Sequence, residues 1–257
     1  MKTNESLFSR TTLLIGDEAM KQIAEVRVIL FGIGGVGSWC AESLIRSGIR
    51  YLTIVDPDTI QVTNINRQLP ATMQTIGQPK VDVLKSRLST INPEAYITAI
   101  QLMFNAKTAD TFDLCSYHYI IDAIDSLENK ANLIRMATQT QATFFSSMGA
   151  ALKMNPSKIQ VAEFWKVHGC PLAAALRRKF KKEILPARKF LCVFSDELLD
   201  NKEDLFETKT DCPKAKTNGS IVHITAIFGF TLAGLIMQDL ISKSFALLPI
   251  CGSLSLK

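Results

Sequence analysis

Apolar positions along the first half of the chain fall in short continuous blocks rather than in strict alternation. Val26 to Phe31, Tyr51 to Val55, Tyr117 to Ile124 and Ala142 to Ser147 are such blocks. Runs of this kind predict strands covered on both faces. Between them the spacing turns helical. Ser38 to Ser47 predicts a helix stopped by Gly48, and Pro79 to Ile91 a second with proline in its first turn and Asn92-Pro93 beyond its end. Ser126 stands as the N-cap of a third, with Asn129 in the capping-box position. Strands alternating with helices predict an α/β, Rossmann-like, doubly wound and mostly parallel sheet.

The pattern changes after Gly149. Ile159 to Phe164 and Phe190 to Ser195 predict two more strands around a helical segment from Cys170 to Lys182, an antiparallel C-terminal extension. Asp196 to Asn218 is polar and aperiodic, which predicts a mobile crossover loop. Ile221 to Met237 then runs for 17 residues without a charge. A membrane span is one reading, but the run is short for it and holds His223, Thr225, Gly229, Thr231 and Gly234. Burial in the core or at a dimer interface is the expectation, with no stable membrane insertion and peripheral contact left open. There is no internal repeat and no Gly/Ser linker. One domain is therefore expected over 1–257, with a nucleotide-binding core at about 8–150 and substrate- and dimer-facing elements at about 151–243.

Composition narrows the class. The chain has 257 residues, 47% apolar and 21% charged, an ordinary globular balance, and a net charge of +5 that permits a nucleic-acid partner without requiring one. The first residues lack the apolar run of a signal peptide, which predicts the cytoplasm. Six cysteines (40, 115, 170, 192, 212 and 251) are scattered with no Cys-x-x-Cys pair. No zinc knuckle or dithiol motif is therefore readable.

The chemistry starts at Gly32-Ile33-Gly34-Gly35-Val36-Gly37-Ser38, between the first strand and helix. Such a glycine turn brings backbone close to a phosphate at a helix N-terminus. Asp56, 19 residues beyond Gly37, holds the position where an acidic residue binds ribose, so NAD fits this far. The alternative is an N-cap or turn aspartate. The next string, Asp56-Pro57-Asp58 through Asn64-Ile65-Asn66-Arg67-Gln68 to Gly77-Gln78-Pro79-Lys80, suits a nucleoside triphosphate better. Arg67 and Lys80 can neutralise phosphates, and Asn64 or Gln68 can hold one geometry. Asp122-Ala123-Ile124-Asp125-Ser126 ends another strand, where an acidic residue can hold the Mg2+ that accompanies ATP or serve as a structural carboxylate.

In order and spacing, the glycine turn, Asp56-x-Asp58, Asn64-x-Asn66-Arg67-Gln68, Gly77-x-x-Lys80 and Asp122-x-x-Asp125 resemble the ubiquitin-activating-enzyme-like adenylating family. That family includes the activators of molybdopterin and thiamin biosynthesis. The resemblance covers about Phe8 to Ser147 strongly. It implies that Asp56 binds the ATP ribose, that Arg67 and Lys80 contact phosphates, and that Asp125 supports Mg2+ and catalysis. The implied nucleotide-contact set adds Gly32, Gly34, Gly35, Gly37, Asp58, Asn64, Gln68, Asp122 and Ser126. Arg10 resembles the family's N-terminal arginine, which reaches the partner subunit's ATP, so a homodimer is implied. The resemblance also leaves room for a monovalent cation and a sulfur-relay protein partner.

Sulfur-carrier activators of the family usually carry two Cys-x-x-Cys pairs, absent here. Arg10-Thr11-x-Leu13-Leu14-Ile15-Gly16, Phe31 to Trp39, Asp122-Ala123-Ile124-Asp125, Cys170-Pro171-Leu172-Ala173 and Cys192-Val193-Phe194-Ser195 are instead similar to the family's tRNA-modifying dehydratases. These imply ATP-dependent activation of a carboxylate on a modified tRNA adenosine, followed by ring closure. Where some relatives carry a cysteine before the last apolar helix, this chain has Thr217-Asn218-Gly219-Ser220. Adenylation of the C-terminal glycine of a ubiquitin-like carrier, and a non-catalytic nucleotide-binding module, remain the alternatives. Arg177-Arg178-Lys179-Phe180-Lys181-Lys182 is a candidate tRNA-backbone contact and equally a solvated helix face. Cys170 and Cys192 read as sulfur or thioester sites or, with no base pattern beside them, as inert thiols. His118 and His223 read as core residues.

Overall fold

The computed structural model describes residues 7–203 and 218–242. Seven strands form one sheet in the order β3-β2-β1-β4-β5-β7-β6. They are β1 (Arg27–Phe31), β2 (Tyr51–Val55), β3 (Tyr96–Ile100), β4 (Tyr119–Asp122), β5 (Thr143–Ser147), β6 (Ile159–Glu163) and β7 (Leu191–Ser195). Every neighbouring pair is parallel except β6 with β7. The mostly parallel sheet with an antiparallel C-terminal pair is thus the one the sequence predicts.

The apolar blocks are continuous because each strand feeds two cores. Val28 and Leu30 of β1 join one, Ile29 and Phe31 the other. The first core is covered by α2 (Asp17–Glu25), α3 (Gly37–Arg46), α4 (Lys80–Ile91) and α7 (Val222–Ser242). The second lies under α5 (Leu127–Ala137) and α6 (Pro171–Lys182). Ser126 does occupy the N-cap of α5, but its side chain makes no capping bond.

Three elements escape the pattern, α1 (Ser9–Ile15), α2 and β3. β3 is an edge strand in which only Ile97 is buried, so its hydrophobic signal is short. The helix α1 buries nothing, and its Leu13 and Leu14 are 88% and 84% exposed. The polar stretch read as a crossover loop lies largely outside the described residues, as do Cys212 and Cys251.

The uncharged run belongs to α7, which is long and apolar enough to cross a membrane, yet half of its most apolar window is buried within the protein. It continues past Met237 to Ser242, and in that last stretch the Asp239 carboxylate accepts the Tyr119 hydroxyl at 2.7 Å. Gly229 lets α7 lie against the start of α3. A Cβ there would stand 2.4 Å from the Val36 carbonyl oxygen and 2.8 Å from the Cys40 nitrogen, both backbone atoms.

Gly229→Ala should therefore cost about 1–3 kcal/mol through forced separation of the two helices. Gly234→Ala, whose Cβ meets nothing within 4 Å, should stabilise by up to about 1 kcal/mol through helix propensity. Urea midpoints of the two variants check this; equal shifts would refute the packing account.

Candidate active site

The sheet reverses its winding between β1 and β4, and loops from both strands open there, where open α/β sheets bind ligands. Gly32 N–H bonds to the Val55 carbonyl oxygen and Ala123 N–H to the Phe31 carbonyl oxygen, both at 2.8 Å. Gly32 has φ +90°, and a Cβ on it would stand 2.6 Å from the Ala123 carbonyl oxygen. The glycine turn and the loop after β4 can therefore share the crevice only with glycine at this position. A Cβ on Gly37 would fall 1.8 Å from the Gly32 carbonyl oxygen. Ser38 completes the turn: its hydroxyl donates to the Gly34 carbonyl at 2.7 Å and accepts the Leu69 N–H at 3.2 Å.

Asp56, at the end of β2, is buried against this turn. Its Oδ2 accepts the Ile33 N–H at 2.6 Å and its Oδ1 the Asp58 N–H at 2.9 Å. Burial pushes its carboxyl above the ordinary aspartate range, and the Lys80 charge partly offsets that. Lys80 returns to the site through a short bridge between Thr59 and Pro79. Pro79 is the N-cap of α4 and Lys80 its first residue. Lys80 Nζ lies 2.7 Å from Asp58 Oδ2 and 3.8 Å from Asp56 Oδ1. It is only 4% exposed.

Arg67 stands on the other side of the turn. A Cβ on Gly35 would come 3.2 Å from Arg67 Cγ and 3.1 Å from Thr225 Cβ of α7. The Arg67 guanidinium donates to the Thr63 carbonyl at 2.7 Å and to Asn66 Oδ1 at 3.0 Å. Its carbonyl accepts the Trp39 indole N–H at 3.1 Å. Burial pulls the guanidinium below its ordinary range while the Asp125 charge pulls it back up, so these two residues share one field. Asn64 is buried and uses its Oδ1 to accept the Gln61 N–H at 3.0 Å. Gln68 is buried beside Gly34, and its Oε1 has no hydrogen-bond partner.

This set fits a nucleoside triphosphate. Arg67 gives up part of its hydration beside the glycine turn, which favours an anion there, and Lys80 stands across the turn on the Asp56 and Asp58 carboxylates. The orphaned Gln68 oxygen is a ready acceptor for a ligand donor. Exposed Asp125 has the donor chemistry of a magnesium ligand whose other positions phosphates would fill.

The remaining expected residues divide. Asp122 is a correction to the nucleotide-contact set: it is fully buried, and Lys130, Ser146 and the Ile124 N–H take up its carboxylate. Ser126 is exposed beside Asp125. Arg10 is exposed on α1. In the basic run Arg177 lies over the Phe164 ring and donates to the Phe164 carbonyl, and Lys179 pairs with Glu128 and Glu183 at 2.8 and 2.6 Å. Arg178, Lys181 and Lys182 remain exposed. Ser38 and Trp39 lie within the glycine-turn stretch, but Lys130 and Thr225 carry no local motif, because their roles come from what the fold sets beside them.

The ThiF family model matches residues 8–248. The chain belongs to the ThiF family. It is 35% identical to the tRNA threonylcarbamoyladenosine dehydratase of Bacillus subtilis, with 91% of this chain and 94% of that protein covered. The Escherichia coli tRNA N6-threonylcarbamoyladenosine dehydratase TcdA, solved in complex with ATP, superposes with a TM-score of 0.81 at 32% identity, covering 92% of this chain and 94% of that one. A more distant relative, the molybdopterin-synthase adenylyltransferase of Salmonella typhimurium, is 29% identical over 72% of this chain and 71% of its own.

The Trp39–Arg67 bond offers a reporter. With Trp165→Phe, Trp39 is the one tryptophan left of two. Its emission should change saturably with ATP, and Arg67→Ala should raise the midpoint at least about tenfold. A flat titration in the Trp39-only protein would refute the site assignment.

Proposed function

We propose that the protein is an ATP-dependent adenylating enzyme that converts threonylcarbamoyladenosine in tRNA to its cyclic form. The observation that carries this reading is that Arg67 shares a field with Asp125, and Lys80 pairs with the Asp56 that binds the glycine turn, in a ThiF chain whose dehydratase relatives match it nearly end to end. A module that only held a nucleotide would have no need of all three.

In this reading the substrate carboxylate attacks the α-phosphorus of ATP and releases pyrophosphate. Arg67 and Lys80 offset the charge that develops on the phosphates, and Asp56 fixes the ribose. Asp125 would hold a magnesium ion, which supplies further charge neutralisation when bound. An amide oxygen of the same substrate then displaces AMP. Both groups sit on one nucleoside, so closure is effectively unimolecular. The oxygen lost from the carboxylate leaves with AMP, which accounts for the dehydration without a protein nucleophile.

Arg10 and the solvent-facing Leu13 and Leu14 favour a homodimer, with α1 covered by the second copy and Arg10 reaching the partner's nucleotide. We further assign the protein to the cytoplasm as one domain, with room for a monovalent cation at the site and a sulfur-relay protein as partner. For tRNA, α6 is the candidate contact. Lys179 is paired to Glu128, three residues past Asp125 in the chain, so the basic end of α6 flanks the loop carrying the acidic residue. Arg178, Lys181 and Lys182 are its cations left for phosphates.

Arg67→Ala should lower AMP release with threonylcarbamoyl-modified tRNA at least about 100-fold without loss of the fold. Lys80→Ala should do the same and also cost stability, because Asp56 stays buried without its cation. Pyrophosphate exchange stimulated by the modified tRNA, and not by a ubiquitin-like carrier, separates this reading from carrier activation. Undiminished activity in both variants would defeat it. Charge reversal at Arg178 and Lys181 should weaken tRNA binding across all sequences and reduce the slope of log affinity against log salt by about 1 for each phosphate no longer neutralised. An unchanged slope would return α6 to a solvated face.

A further inference from the structure

Behind the crevice lies a row of polar side chains that composition does not explain. Asp122, Ser146 and Cys192 are register partners across β4, β5 and β7, on the face covered by α5 and α6. Lys130 descends on this row from α5, and both it and Asp122 are fully buried. Lys130 Nζ lies 2.7 Å from Asp122 Oδ2, which also accepts the Ser146 hydroxyl at 2.7 Å.

Removing two charges completely from water is costly, and an apolar pair of similar volume would hold the helix on the sheet at least as well. The pair does something an apolar pair could not. Lys130 Nζ also donates to the Ile124 carbonyl oxygen at 2.8 Å, and Asp122 Oδ1 accepts the Ile124 N–H at 3.0 Å. Both polar ends of the residue immediately before Asp125 are therefore tied to one desolvated ion pair. Beyond Asp125, the chain is fixed by the first turn of α5, where the Lys130 N–H bonds to the Ser126 carbonyl at 2.9 Å.

We propose that Lys130 is a positioning residue for the reaction, holding the Asp122–Ile124 turn so that the Asp125 carboxylate faces the phosphates without reorganising. The proposal rests on the reading of Asp125 as the magnesium-holding group, and it assigns to Lys130 no contact with substrate.

Lys130→Met alone strands a buried carboxylate and invites misfolding. The variant to use is Lys130→Met with Asp122→Asn, which removes both charges and keeps the volume. In nucleotide-free protein, amide hydrogen exchange at Ile124, whose N–H the Asp122 carboxylate accepts, should accelerate at least about tenfold while β4 and α5 stay within about threefold. In pyrophosphate exchange, kcat should fall at least about tenfold with KM for ATP changed by less than about threefold. Adding Asp125→Asn to this variant should cost much less than it costs the wild type, since the carboxylate is already displaced. Unchanged loop protection, or Asp125→Asn losses that multiply in full on both backgrounds, would overturn the proposal. A wild-type protein with no pyrophosphate exchange on any modified tRNA would instead refute the proposed function, and the hydrogen-exchange result would still decide whether Lys130 braces the turn.

Discussion

The backbone of Gly32 passes the carbonyl of Ala123 at a distance no Cβ would tolerate, and the catalytic end of the sheet is organised around that passage. Two loops leave neighbouring strands there in opposite directions, one carrying the glycine turn and the other Asp125. Had they been kept apart by a side chain, Asp125 would stand farther from the turn and from Arg67, whose charge it feels. The parallel sheet supplies the crevice, and one glycine lets both loops into it.

Charge burial then divides the labour. Lys80 and Arg67 give up hydration beside the glycine turn, so an anion placed there replaces water they have already shed. Lys130 is buried more deeply and has no such opening, because Asp122 and Ile124 absorb most of its hydrogen-bonding capacity. By residue type alone the two arrangements look alike. They differ in access: the Asp58 carboxylate that holds Lys80 is largely exposed, whereas Asp122 and Lys130 are both sealed from solvent.

Much of this is readable from the chain. The strands around the glycine turn, and the string from Asp56 to Lys80, depend on local spacing, and local spacing is what a sequence records. α1 and β3 escape it because one buries nothing and the other buries a single side chain. Asp122 misleads for a different reason: a carboxylate at a strand end looks the same whether it faces a ligand or a lysine eight residues later. The basic run likewise reads as six consecutive positions, while the fold leaves three cations exposed. In both cases the sequence shows which groups are present and the tertiary contacts show which are spent.

The cysteines bear on the chemistry by a similar subtraction. Cys40 and Cys192 are fully buried, and burial pushes both thiols far up, so neither supplies a thiolate at neutral pH. Cys192 lies in the row beneath Lys130, where it fills space beside the ion pair. A thioester relay through either would need the sheet to open. The proposed reaction calls on neither thiol, because its nucleophile arrives with the substrate. In the proposed ring closure the protein's part is to hold the phosphates and to keep the acidic loop in place.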